Sequence, residues 1–471
     1  MALKIDTQVT PQKLLPALTR LFDVSTQKMH SLQKTWDPVQ GTPVFTSQGK
    51  YTARGWTEWT QGFLFGSALL QYDATGEPSF LEWGRAHTMK HMAGHVSHTG
   101  VHDHAFNNIS TYGNLLRLMK EGKLAQSEPE QAFYELALKV SGAVQAARWT
   151  GLPDGLGYIY SFNGPHSLFI DTLRSLRSLG VAHLLGHVLM GERDARISLL
   201  ERLVAHAKTT AQFAVYYGEG RDIYDLRGRT AHESVFNIND GSYRCPSSQQ
   251  GYSPFTTWTR GLAWAICGFA EQLEFLDRLP AAEFATLGGR RKTCEPFLKA
   301  ATATADFFLE NSPVCGVPYW DTGAPHLHRL GNYLDRPADP FNAWEPVDSS
   351  AAAIAAQGLI RLGTVLAPTN ASQGSRYRQA GLTVAQTLLN EPYLSLNARH
   401  QGLLLHSVYH RPNGWDHLAK GQKVPNGESS MWGDYHLREL ALLLLRQSRG
   451  ESWLTFFRCA QAPRSASRKI S

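Results

Sequence analysis

"AAAIAAQGLIRLG", residues 351–363, decides the fold. Its apolar residues recur at helical spacing, and no turn residue breaks them into strand-length pieces. The same periodicity runs through Phe133, Leu136, Val140, Ala143 and Ala147, through Ile197, Leu200, Val204, Ala207 and Ala211, and through Phe297, Ala301, Ala305 and Phe308. Working outward, about twelve such segments emerge, at 12–22, 57–73, 78–96, 104–121, 128–148, 166–180, 193–216, 257–277, 294–311, 349–363, 374–390 and 434–447. Loops rich in Gly and Pro divide them, such as "ATGEPS", "GLPDG" and "NSPVCGVP". Strand-like material is sparse. "SVFNINDGSYRC" alternates on either side of Asp240-Gly241, a hairpin signal. No strand–helix alternation of the βαβ kind occurs, and no repeat of solenoid length is found.

Twelve helices with long loops on alternate connections predict an all-α fold, six helical hairpins closed into an (α/α)6 barrel with a small β-hairpin insertion. A length of 471 residues would by itself argue for about three domains. Helical toroids run long as one unit, so the expectation is a single domain over 1–471, with a flexible tail from about 460 in the basic stretch "RSASRKIS". The chemistry of such a ring should lie in its central funnel, at the starts of inner helices and in the longer loops.

Composition narrows the class. Hydrophobic residues are 42% and charged residues 18%, with a net charge of +6 and no long basic run. This is a soluble composition with enough material for a core. It gives no reason to expect nucleic acid as a partner. No run of about 18 apolar residues suggests a membrane span, and the N-terminus has no secretory pattern. The five cysteines, 245, 267, 294, 315 and 459, form no CxxC pair, which fits reduced thiols in a cytoplasm. The 12 Trp, 17 Tyr and 21 Phe are more telling, because several sit beside polar residues, as in "RGWTEWTQGF", "TTWTRGLAW", "NAWEPVDSS" and "SSMWGDY". Rings flanked by polar groups suit the C–H faces and hydroxyl edges of sugars.

Phosphate loops, Rossmann glycines, GxSxG and HExxH are all missing. His91/His95 and His183/His187 have HxxxH spacing but lack the glutamate of a zinc peptidase, so packing is the simpler reading. Asp103, in "GVHDHAFNNIS", is placed at a helix start. A cap would explain it, but the flanking His102 and His104 are not needed for a cap. Asp171 interrupts the apolar run Leu168, Phe169 and Ile170 on a predicted helix, where a carboxylate is costly unless it is bonded or faces a cavity. Apolar burial or a nearby carboxylate would raise its pKa, as a general acid requires. An ordinary surface pair with Arg174 is the competing reading. Gln250, Trp258, Arg260 and Trp264 share one end of a helix, where Arg260 could grip a sugar carboxylate or sulfate or simply stack on indole.

Seven stretches, in order over residues 55 to 447, resemble glycoside hydrolase family 88, the unsaturated glucuronyl hydrolases: "EWTQGFLFGSALLQYDATGE", "HDHAF", "SFNGPHSLFIDTLRSL", "AHESVFNINDG", "QGYSPFTTWTRGLAWAICGF", "EPVDSSAAAIAAQGLIRL" and "SSMWGDYHLRELAL". The resemblance implies an (α/α)6 barrel that removes a 4,5-unsaturated uronic acid from the non-reducing end of lyase-generated oligosaccharides by hydration. It implies Asp171 as the acid/base and Asp103 as a second pocket carboxylate. His102, Phe162, His232, Gln250, Trp258, Arg260 and Trp264 would contact substrate. It implies no metal or cofactor, and the sugar as partner of a monomer or homodimer, without nucleic acid or membrane.

The implied chemistry is protonation of the C4=C5 enol ether at C4 by Asp171. Water then adds at C5 with the carboxylate's help, and the resulting hemiketal collapses, while Asp103 holds a hydroxyl and stabilises positive charge. The chain departs from the family pattern in three places. Asp171-Thr-Leu-Arg-Ser175 replaces Asp-x-Met-Met-Asn, Phe162 stands for a Trp, and His104-Ala105 for Leu-Gly. Arg174 is therefore expected to add positive charge toward a sulfated or second acidic sugar. Three alternatives remain open: the related unsaturated rhamnogalacturonyl hydrolases, an (α/α)6 sugar epimerase or isomerase using paired histidines, and a barrel that binds oligosaccharide without turnover.

Overall fold

Capping residues set several helix starts. Side-chain oxygens of Thr10, Ser198, Asn370 and Ser430 accept the N–H of Lys13, Glu201, Gln373 and Gly433, three residues on in each case. In a computed structural model that describes residues 2–55 and 58–458, these and similar starts open twelve long helices. The outer helices are α1 (Pro11–Thr35), α3 (Pro78–His91), α5 (Glu128–Ala147), α7 (Leu199–Phe213), α9 (Arg290–Asn311) and α11 (Ala371–Leu388). The inner ones are α2 (Gln61–Thr75), α4, α6, α8 (Thr259–Asp277), α10 (Ser349–Leu366) and α12 (Met431–Ser448). Two inner helices are broken: α4 runs His104–Asn108, a π-helical turn Ile109–Gly113 and Asn114–Lys120, and α6 runs Thr172–Ser175 and Arg177–Leu184.

Burial separates the two rings. α1 buries Leu14, Leu18, Leu21, Phe22, Ser25, Lys28, Met29 and Leu32, one stripe at helical spacing. Every residue of α10 from Ser349 to Gly363 is buried, because neighbours surround it on all sides. That is why this helix is long and apolar enough to pass as a membrane span by composition while lying inside the barrel. Each inner helix packs against the next, and α12 returns to α2, which closes the (α/α)6 ring.

The expected segments correspond to these twelve helices, with shifted ends. The first was expected to stop at 22 but continues to Thr35. Lys28 disguised its apolar stripe: the side chain is buried, and its ammonium donates to Ser395 Oγ and the carbonyls of Asn397 and His400. The segment expected as helix over 166–180 begins as a strand. Ser167–Phe169 pairs antiparallel with Glu233–Phe236, which in turn pairs with Tyr243–Ser247. The expected hairpin is thus part of a three-stranded sheet, turning at Gly241 with φ +74°. A three-residue apolar run carries no periodicity to separate strand from helix. The expected tail from about 460 and Cys459 lie outside the described residues, and the other four cysteines are unpaired.

Candidate active site

The loops at the N-terminal ends of α4, α6, α8 and α12 meet at one end of the barrel around a cavity of about 450 Å³. Its wall contains His102, Asp103, Phe162, Asp171, Gln250, Trp258, Arg260 and Trp264. Residues widely separated in sequence are thereby brought together. His232 is the exception among the expected contacts. It is buried behind the wall, its ring 4.4 Å from that of Phe169 and 4.9 Å from that of Trp258, because the strand that follows it, Glu233–Phe236, is paired with Ser167–Phe169 and its own carbonyl accepts the N–H of Ile170. His232 Nδ1 accepts the N–H of Gln249 at 2.9 Å and so fixes the loop that carries Gln250. Burial pushes its pKa down to about 4, so it is neutral.

Asp103 occupies the cap position of α4, yet its carboxylate caps nothing. It turns instead to His102. His102 Nε2 lies 3.2 Å from Asp103 Oδ1 and 3.2 Å from Asp171 Oδ1, so one imidazole nitrogen bridges two carboxylates. Asp171 stands where the strand Ser167–Phe169 ends and α6 begins, not within a helix as expected. His102 is buried, with its ring edge-on to Phe169 at 5.5 Å and tilted against Phe162 at 5.7 Å.

The electrostatics separate the two acids. Burial pushes the Asp103 carboxyl up to about 6, with the Asp171 charge adding to the rise and His102 opposing it. Burial also pushes Asp171 upward, but the hydrogen bond and charge of His102, with smaller help from the Thr172 N–H, hold it below its ordinary value. His102 itself is raised: burial disfavours its charged form, and the two carboxylates outweigh that. The expectation that apolar burial or a nearby carboxylate would raise the Asp171 pKa is therefore corrected, since the bridging imidazole holds it below its ordinary value.

A pH dependence follows. The folded protein keeps the Asp103 proton up to about pH 6, whereas the unfolded chain releases it near 3.8, so this site's contribution to stability falls as pH rises through that window. Asp103→Asn removes the loss. Urea denaturation should show the variant more stable than wild type at pH 8 by on the order of 3 kcal/mol, with the gap closing toward pH 4. A gap independent of pH would contradict the assignment.

Arg260 is less free than its sequence context implies. Its Nη1 donates to Asp348 Oδ2 at 2.9 Å and to Val408 O at 2.6 Å. Its Nη2 donates to Gln250 Oε1 and Tyr409 O, both at 2.9 Å. The guanidinium stacks 4.7 Å above the Trp258 ring. Trp258 can fold over α8 because residue 261 is glycine, where a Cβ would meet Trp258 at 2.6 Å. Arg260 thus locks Gln250 and the 408–409 loop and lends the cavity positive potential. Asp348, unremarked in the sequence beyond its motif, caps α10 and anchors this lock.

The departures from the family pattern have structural explanations. Arg174 points away from the cavity, fully buried and paired with Glu271 and Glu439, so it cannot read a sulfate. Ser175 Oγ accepts from Ala105 N and Gln145 Nε2, each at 3.0 Å. His104 joins Ser141 Oγ at 3.0 Å and His98 O at 2.8 Å, inside the packing. His95 pairs with Gln61 and Asn107, and His183 lies 3.6 Å from Glu283. Among the described residues no cluster of three or more His, Cys, Asp or Glu could hold a metal.

Sequence reasoning missed Phe106, Ser248, Gln249, Tyr409, His410, Asn413 and Trp415, which also line the cavity. "YHRPNGW", residues 409–415, mixes rings and polar groups, the signal used elsewhere in the chain. Trp59, another wall residue, lies in "RGWTEWTQGF", which that signal had marked.

Barrel and cavity together define an (α/α)6 fold with a carboxylate- and aromatic-lined site at one end. No protein-family model matches the sequence. The chain is 25% identical over 407 residues to the unsaturated glucuronyl hydrolase of Bacillus sp. (strain GL1), covering 86% of this chain and 90% of the relative. The crystal structure of that relative superposes with a TM-score of 0.67 at 23% identity, covering 91% of this chain and 96% of the other. The unsaturated chondroitin disaccharide hydrolase of Streptococcus pyogenes serotype M1 is 24% identical over 433 residues, 90% of each protein. An unsaturated glucuronyl hydrolase specific for heparin superposes with a TM-score of 0.70 at 18% identity, covering 93% of this chain and all of that structure.

Proposed function

We propose that this protein is an unsaturated glucuronyl hydrolase of the glycoside hydrolase family 88 type, releasing a 4,5-unsaturated uronic acid from the non-reducing end of lyase-generated oligosaccharides. The observation that carries the reading is the Asp103–His102–Asp171 bridge, opening on a cavity walled by Trp59, Phe162, Trp258 and Trp264. It is supported by relatives bearing that activity in their names, matched over most of the chain.

The chemistry follows from a proton on His102. Binding of an anionic sugar excludes water and adds negative charge, and both effects raise the Asp171 pKa. His102 Nε2 passes its proton to Asp171 Oδ1, and Asp171 delivers it to C4 of the enol ether. Positive charge then develops at C5 and the ring oxygen, where the Asp103 and Asp171 carboxylates stabilise it. Asp171 takes a proton from the water that attacks C5. The product is a hemiketal, which opens and expels the remaining saccharide. Positioned proton transfer of this kind contributes about 10²–10⁴-fold. The spacing rules of ordinary glycosidases do not apply, because no displacement occurs at the anomeric carbon. The unpaired cysteines support action in a reducing compartment.

The test is to incubate the protein with unsaturated disaccharides from chondroitin, heparin, hyaluronan, ulvan and pectin and follow the ultraviolet absorbance of the conjugated double bond. Loss is expected on at least one glucuronyl substrate. Loss confined to the pectin product would move the protein to the rhamnogalacturonyl relatives, and no loss on any would remove the hydrolase reading.

A further inference from the structure

A second concavity of about 430 Å³ lies beside the catalytic cavity, and segments 250–252 and 409–413 contribute walls to both. We infer that it is a distal subsite for an acidic sugar of a longer oligosaccharide, with Trp344 and Tyr252 as stacking faces and Arg411 and Lys423 binding the sugar's carboxylate or sulfate. This rests on the hydrolase reading and deepens it, because it makes the preferred substrate longer than a disaccharide.

Trp344 and Tyr252 are unusually open for such large rings, at 43% and 51% exposure. The Trp344 platform is built rather than loose. Asn342 Oδ1 accepts the N–H of Trp344 at 2.8 Å and of Glu345 at 2.9 Å, and the Arg329 guanidinium lies 5.5 Å from the Trp344 ring centroid. The carboxylate in this wall is already occupied, since Glu345 accepts Trp320 Nε1 and His326 N, both at 2.8 Å. Asp416, whose charge is felt by Arg411, accepts the N–H of Tyr409 and His410. Arg411 and Lys423 make no ion pair among the described residues, and Arg411 Nε is buried without a partner. Two cations without an ion pair, beside open rings, suit an anionic sugar. The concavity on the other flank of Asp103, formed by Trp59, His98, Gly100, Val101, Asn107 and Phe162, has no Arg or Lys. Charge therefore directs an acidic chain toward Arg411 and Lys423.

The experiment compares kcat/KM on the unsaturated disaccharide and tetrasaccharide of one acidic polysaccharide, for wild type and for R411A/K423A. Wild type should favour the tetrasaccharide. The double variant should lose about tenfold on it, mainly through KM, as expected for one charge-assisted contact, and at least several-fold less on the disaccharide. Equal wild-type efficiency on both lengths, or equal losses on both, would overturn the subsite while leaving the hydrolase reading intact. Turnover of neither substrate would overturn both. Unchanged thermal melting of the variant separates a binding effect from misfolding.

Discussion

Asp171→Asn should fold like wild type and lose about 10³-fold or more in turnover of an unsaturated disaccharide, within the range that positioned proton transfer supplies. The substitution keeps the side chain's shape and leaves an amide oxygen for His102 Nε2, which now lies 3.2 Å from Asp171 Oδ1. What it removes is the group that, in the proposed reaction, receives a proton from His102 and then accepts one from water. No other group replaces it: Asp103 is nearby, but His102 holds it in its own bonded position, and His232 is neutral and behind the wall. Initial rates by loss of ultraviolet absorbance, read beside the far-ultraviolet circular dichroism spectrum, measure the effect. Activity within about tenfold of wild type in a folded variant would remove Asp171 from its role.

The second large effect concerns folding. Beneath the cavity, α6, α8, α10 and α12 enclose a buried ionic cluster. Glu439 lies 3.0 Å from Arg174 and 3.6 Å from Arg177, Glu271 pairs with Arg174, and Arg361 lies 2.8 Å from Glu274. Burial pushes the Glu439 carboxyl up, but Arg174 and Arg177 pull it far below its ordinary value, so it stays ionised. Glu439→Gln preserves shape but leaves these guanidinium groups undercompensated in the barrel's centre. Removing one partner of a buried pair costs about 3–5 kcal/mol. Urea midpoints should fall accordingly, or unfolding rates rise if denaturation is irreversible. A midpoint near wild type would mean that water or rearrangement screens the cluster. By the same logic Arg174→Ala should act on folding and leave the choice between sulfated and unsulfated substrates unchanged.

The fold was legible because helical periodicity survives point by point along the chain, from the Phe133–Ala147 stripe to the apolar run of α10. Boundaries were less legible where chemistry mimicked the wrong environment. Lys28 reads as solvent-facing but is buried by three oxygen acceptors, and Leu168-Phe169-Ile170 reads as helix but begins as a strand held by Glu233–Phe236. Within the site, Asp103 and Asp171 stood out because polar residues occupied positions that packing alone does not require. Their bridge through one nitrogen of His102 was not legible, since it depends on two helix starts meeting 69 residues apart. Arg174 was misread for a related reason. Its place three residues after Asp171 implied a side chain near the pocket, whereas the helical turn that starts at Asp171 sends Arg174 into the core. Arg411 and Lys423 lie in loops without periodicity, where only the fold shows which concavity they border.

Proton NMR of the reaction in D₂O tests hydration most directly. With an unsaturated disaccharide, the vinyl signal of H4 should disappear in step with release of the second sugar, and deuterium should enter at C4. Release of that sugar with the H4 signal retained would show direct cleavage at the anomeric carbon and contradict the account.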